Sequence, residues 1–246
     1  MEKCQQFYAL LLIIVQICIV SSHWEEIENA RALRRKWKEE RDRTTPSTPL
    51  RILPTSCLHL SAGFQEIQPQ NKSSNYVLCD DAGWVVIQRR TNGEEDFNKS
   101  WQEYEEGFGT SRADFFIGLK KLQLFTSSTR QVLHITLKFD WGSVVAQYDD
   151  FAIANSTSHY KLESLGKFTG NACDALRLNV NQEFSTYDQN RSPSHHNCAN
   201  IFRSGWWYPN DCGLSNLNAP FNGFIRWEYF DVKSVVMKIR PYPNGL

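Results

Sequence analysis

The residues best placed to do chemistry are five cysteines, a pair of adjacent histidines and a run of neighbouring aromatics. Cys198 and Cys212 bracket Gly205-Trp206-Trp207-Tyr208, and Ser215-Asn216-Leu217-Asn218 follows directly. A disulfide across that bracket would hold a loop too irregular to hold itself, with the tryptophans supplying apolar area at its base. A loop made rigid in this way presents a surface to a partner. His195-His196 beside Cys198 invites a zinc reading, but zinc needs a tetrahedral ligand set. Adjacent histidines point in different directions and an oxidised cysteine is no ligand, so the pair reads as a solvated loop. No serine, histidine and carboxylate arrangement or paired carboxylates stand out, and the remaining histidines sit in no motif, so the chain is not read as an enzyme.

The cysteines also indicate a compartment. Met1 to Ser22 reads as a secretory signal: Lys3 precedes an apolar run from Tyr8 to Val20, and Val20 and Ser22 suit cleavage before His23. That run is short of the roughly 20 residues that span a bilayer, so export without membrane insertion is expected. Cys4 and Cys18 leave with the signal, and Cys57, Cys79, Cys173, Cys198 and Cys212 enter an oxidising compartment. Short loops favour Cys57 with Cys79 and Cys198 with Cys212. Cys173 is left over, either as a buried free thiol or as an intermolecular disulfide that would make a homo-oligomer. Asn71, Asn98 and Asn155 are glycosylation acceptors, and Asn190 is a fourth sequon disfavoured by Pro193.

The elements that must position these groups are legible in part. The chain has 246 residues, with 27 basic against 27 acidic, which excludes nucleic acid as the main partner. Residues 23–56 hold a charged amphipathic segment, His23 to Arg43, read mainly as a solvated helix and less as an oligomerisation stalk. A Pro/Thr linker from Thr44 to Pro54 follows it. The globular domain covers 57–242. Trp84 to Arg90 reads as a strand ending in a turn at Asn92-Gly93. Ser100 and Glu103 have capping-box spacing, and the spacing predicts a helix with Trp101, Tyr104 and Phe108 on one face before Gly107 and Gly109 stop it. Gln131 to Phe139 alternates through Leu133, Ile135 and Leu137, with Val144 to Ala154 as its hairpin partner, and Ser234 to Arg240 alternates again. From Gly166 to Phe224 periodicity fades, and a stretch that irregular needs a staple or a function.

Together these residues resemble the fibrinogen C-terminal-like domain, the family of fibrinogen chain globes, ficolins, tachylectins, tenascin tips and angiopoietins. The matching runs are Gly83-Trp84-Val85-Val86-Ile87-Gln88-Arg89-Arg90, Asp96-Phe97 with Trp101, Tyr104 and Gly107-Phe108-Gly109, and Phe115-Phe116-Ile117-Gly118-Leu119. Phe184-Ser185-Thr186-Tyr187-Asp188, Asn197-Cys198-Ala199, the Gly-Trp-Trp-Tyr run and Ser215-Asn216-Leu217-Asn218 continue the match in order. The resemblance implies an α+β fold with an N-terminal lobe closed by the first disulfide, a central twisted antiparallel sheet and a loop-rich lobe for calcium and ligand.

The family's calcium loop falls on Asp188, Asn190 and Ser192, with carbonyl donors at Ser194 and His196. Calcium wants several hard oxygens with carboxylate charge, and only Asp188 supplies it, so a weak or lost calcium site is expected. The acetyl-reading pocket of lectin members lies beside the fourth cysteine, where a histidine commonly follows; here Gly213 stands, as in angiopoietin-like members. The neighbouring loop is cut to Ala219-Pro220-Phe221, and Asn222 replaces the acidic residue of a peptide-binding member. Tyr208, Gly213, Phe221 and Asn222 are therefore the candidate ligand residues, with Trp206 and Trp207 read as core. The resemblance implies a secreted recognition protein of innate-immune lectin type, binding carbohydrate or acetylated groups on cell or microbial surfaces. The other reading is a secreted ligand for a cell-surface receptor or matrix protein.

Overall fold

The computed structural model describes residues 52–70, 72–110, 112–221 and 225–243, together with Glu28, Arg31, Ala32 and Arg34. The chain divides into two units, Met1–Ile52 and Leu53–Leu246. In the first, Glu28, Arg31, Ala32 and Arg34 are helical and exposed. The signal segment, the rest of the charged segment, the linker to Arg51, Asn71 and Asn222 lie outside the described residues.

Alternation of apolar residues builds the second unit's main sheet. In β6 (Gln131–Phe139), Leu133, Ile135 and Leu137 are fully buried, each worth about 1.5–3 kcal/mol relative to exposure. β7 (Gly142–Ile153) returns antiparallel from a tight turn, so the expected hairpin is present. The last strand, β13 (Ser234–Pro241), enters between β6 and β3 (Val85–Arg90), burying Val235, Met237 and Ile239. β1 (Gly63–Ile67) and β2 (Asn75–Cys79) extend one side of this sheet, and β8 (Leu162–Ser164) the other. Short strands β4 (Phe108–Gly109), β5 (Phe115–Phe116) and β9 (Phe168–Gly170) pair off this path. Every pairing is antiparallel, and the few helices leave an α+β fold.

Helix α1 (Trp101–Glu106) starts where the sequence predicts, with Ser100 and Glu103 closing a full capping box. It ends at Glu106, directly before Gly107, the first of the two glycines expected to stop it. Gly107 sits at φ +91°, and a Cβ there would fall 2.6 Å from the Ile117 carbonyl oxygen, so the chain turns away and Phe108 enters β4. The expected helical placement of Phe108 is thus corrected, although its ring still meets Tyr104 edge-on at 5.0 Å. Helix α2 (Leu119–Thr126) buries Leu119, Leu122 and Phe125. The irregular region carries a short helix α3 (Cys198–Ile201) and a small second sheet of β10 (Ser215–Asn216), β11 (Arg226–Trp227) and β12 (Phe230–Asp231). Disulfides join Cys57 to Cys79 and Cys198 to Cys212. Among the described residues, no helix is long and apolar enough to cross a membrane.

Candidate functional site

The Cys198–Cys212 loop is built inward from its glycine. A Cβ on Gly205 would lie 2.6 Å from the Tyr104 ring and 2.7 Å from Phe184, so only glycine lets the backbone pass between them. Its N–H donates to the Tyr104 hydroxyl at 2.9 Å, and its carbonyl accepts from Asn218 Nδ2 at 2.8 Å. Trp206 then bridges to Ser185 through two backbone bonds of 2.9 and 3.1 Å. Trp207 donates its indole N–H to the Tyr160 carbonyl at 2.7 Å, and both tryptophans are buried.

Tyr208 continues into the same core. Its side chain is fully buried, and its hydroxyl donates to the Ser204 carbonyl and accepts from Asn216 Nδ2, both at 2.9 Å. Burial pushes the phenol's pKa well above its ordinary value, so it stays protonated. The expectation that Tyr208 faces a ligand is therefore corrected: Ser204 and Asn216 saturate its polar end and its ring lies inside. Gly213 is also buried, at φ +77°, and a Cβ there would meet the Pro209 ring at 2.8 and 2.9 Å. A wall residue cannot stand on that position without moving the proline, so the ligand-facing reading of Gly213 is corrected as well. Phe221 is half-buried, with its ring against Gly93 and 5.1 Å from the Arg90 guanidinium.

Arg90 and Asp114 hold this lobe to the main sheet, and neither stood out in the sequence. Arg90 is 2% exposed and its Nε lies 3.3 Å from Asp114 Oδ2. Arg90 also donates to the Asn218 and Ala219 carbonyls at 2.8 and 2.9 Å, and stacks 3.8 Å over Phe97. Asp114 accepts the backbone N–H groups of Thr91, Asn92 and Gly93, closing the turn after β3. Gln88 adds a bond from Nε2 to the Leu217 carbonyl at 2.7 Å. The only sequence signal was the Gln88-Arg89-Arg90 run that ends a strand begun by apolar residues, where unpaired polar burial would be costly.

The loop before Cys198 is tied to itself. Asp188 accepts the Trp101 N–H at 3.0 Å and the Thr186 hydroxyl at 2.7 Å, so its carboxylate caps the start of α1. Asn190 Oδ1 accepts from the Ser192 N–H, Ser192 Oγ from the Ser194 N–H, and Ser194 Oγ from the His196 N–H, at 3.2–3.3 Å. The donor set is one carboxylate and a series of neutral oxygens, each already engaged. His195 and His196 are exposed, and the described residues contain no group of three His, Cys, Asp or Glu side chains placed to hold a metal.

Cys173 is exposed, which corrects its reading as a buried thiol. A hydrogen bond to the Glu228 carboxylate, then partial desolvation and the carboxylate's charge, push its thiol pKa up. Of the glycan acceptors, Asn98 is half-buried; Asn155 is exposed and its Oδ1 accepts from the Thr157 hydroxyl at 2.7 Å. Two cavities among the described residues lie elsewhere. One of about 400 Å³ is lined by Leu58, Ile67, Val85, Phe125 and Pro241, and one of about 240 Å³ by Gln123, Thr126, Asn155 and Glu163.

Comparison with known proteins agrees with this geometry. The profile of the family described as fibrinogen beta and gamma chains, C-terminal globular domain, matches residues 59–242. Human fibrinogen-like protein 1 is 35% identical over 213 residues, covering 73% of this chain and 68% of that protein. Ryncolin-4 from Cerberus rynchops is 36% identical, covering 73% of this chain but 57% of its own length. The fibrinogen-like globe domain of human ANGPTL2 superposes with a TM-score of 0.71 at 31% identity, over 77% of this chain and all of that domain.

Proposed function

The chain belongs to the fibrinogen C-terminal domain family, and from that premise we propose that it is a secreted, non-catalytic ligand that engages a cell-surface receptor or matrix protein. The family membership and the disulfides support a recognition role outside the cell. One observation carries the choice of partner: two of the four positions expected to line a small-ligand pocket beside Cys212 are packed inside the domain. These are Tyr208 and Gly213, both buried. An acetylated sugar bound beside the fourth cysteine would need those positions open to water, so this arrangement gives less support to a lectin acting through that pocket. What the lobe offers is a rigid outer surface, and extended surfaces suit macromolecules.

Calcium has no part in this reading. A cation at Asp188 would have to take the carboxylate from the start of α1 and find its remaining ligands among neutral oxygens. The test is binding of the tagged full-length protein to cells before and after surface proteolysis. Loss of binding after trypsin is expected. Binding that survives trypsin and disappears after glycosidase treatment would contradict a protein partner.

A further inference from the structure

Two hairpin tips bring aromatic side chains together outside the Cys198–Cys212 loop. The turn between β6 and β7 is Asp140-Trp141, bracketed by the Phe139–Gly142 pair. The turn between β11 and β12 is Glu228-Tyr229, bracketed by the Trp227–Phe230 pair. Two-residue hairpin turns favour Gly, Asn and Asp, so turn geometry does not call for Trp or Tyr. The Trp141 indole lies parallel on Phe139, with centroids 4.9 Å apart and planes 3° apart. Phe230 sets itself edge-on to both rings, at 6.0 and 6.3 Å. Phe139 is buried and anchors the group, whereas Trp141 is 64%, Tyr229 84% and Phe230 49% exposed. One indole face is occupied by Phe139 and the rest of the ring is presented to water. Asp140 and Lys233, 3.2 Å apart and both exposed, stand at the rim.

The geometry points to a carbohydrate platform, in which Trp141, with Phe230 edge-on beside it, stacks on the pyranose rings of a β-linked, all-equatorial glycan chain. Such a ring carries its C–H bonds on its faces and its hydroxyls around its edge. The C–H faces match the electron-rich face of the indole, and the edge hydroxyls meet charged partners in Asp140 and Lys233. An open platform takes internal rings of a chain and is indifferent to an acetyl group. A second copy of this chain is the weaker occupant, because three side chains fall short of the roughly 800 Å² per partner that a stable interface buries. The platform is additional to the protein-binding role proposed above and does not depend on it.

The test is calorimetric titration of the full-length protein with cellohexaose and with chitohexaose. Both are expected to bind. Trp141→Ala should weaken each by roughly tenfold or more, Trp141→Phe should retain most of the affinity, and Phe230→Ala should give a smaller loss. Ile201→Ala, an exposed change in α3, should leave both titrations unaltered. Failure of both sugars to bind, binding of chitohexaose alone, or binding untouched by Trp141→Ala overturns the inference. A sedimenting dimer that Trp141→Ala dissolves overturns it too. Trypsin-sensitive binding to cells that persists in these cases leaves the receptor reading standing.

Discussion

Gly213 and Cys173 show how much a single position's surroundings decide. Gly213 combines a left-handed backbone with a proline ring in the space of its missing side chain. Gly213→Ala should therefore destabilise the protein by about 1 kcal/mol or more, read as a lower urea midpoint with unchanged slope. An unchanged midpoint would mean the loop relaxes freely. At Cys173 the Glu228 carboxylate holds the proton on sulfur. Since the thiolate is the reactive form, Glu228→Gln should lower the thiol pKa and speed iodoacetamide alkylation near neutral pH. An unaltered rate would remove Glu228 as the cause. At this scale the sequence was only partly legible. The departure at Gly213 was visible as a missing histidine, but its backbone reason was not. Tyr208 looked free because Ser204 and Asn216, which saturate its hydroxyl, reach it only once the loop has closed.

The elements divide into those set by their own pattern and those set by a distant partner. β6 and β13 alternate strictly enough to be read directly, β7 was placed as the hairpin partner of β6, and the Ser100–Glu103 spacing located the start of α1. The strands of two or three residues had no period to read, and Phe108 left the face of α1 because Gly107 turns the chain into β4. The irregular lobe is fixed by side chains, chiefly the buried Arg90–Asp114 pair that ties the turn after β3 to residues 218 and 219. Removing one member of such a pair leaves an unpaired buried charge. Asp114→Ala should cost about 3–5 kcal/mol in urea unfolding, with the Thr91–Gly93 amides losing protection in hydrogen exchange. A loss within about 0.5 kcal/mol, the range of an ordinary surface change, would show that the Arg90–Asp114 pair does not hold the lobe.

At the scale of the molecule, the chain's last strand lies between β3 and β6, so the sheet is incomplete until nearly the whole domain has been made. The family frame was legible because its glycines, aromatics and cysteines keep their order. The state of the inherited site was not, because burial of Tyr208 and Gly213 depends on contacts between segments far apart in sequence. We propose a recognition domain in which Tyr208 and Gly213 are packed inside and the partner is met on an outer surface. Binding of the full-length protein to cells in calcium, in EDTA, and with excess N-acetylglucosamine tests this most directly. The account predicts saturable binding that is equal under all three conditions. Binding abolished by EDTA or by the sugar, or no saturable binding at all, would contradict it.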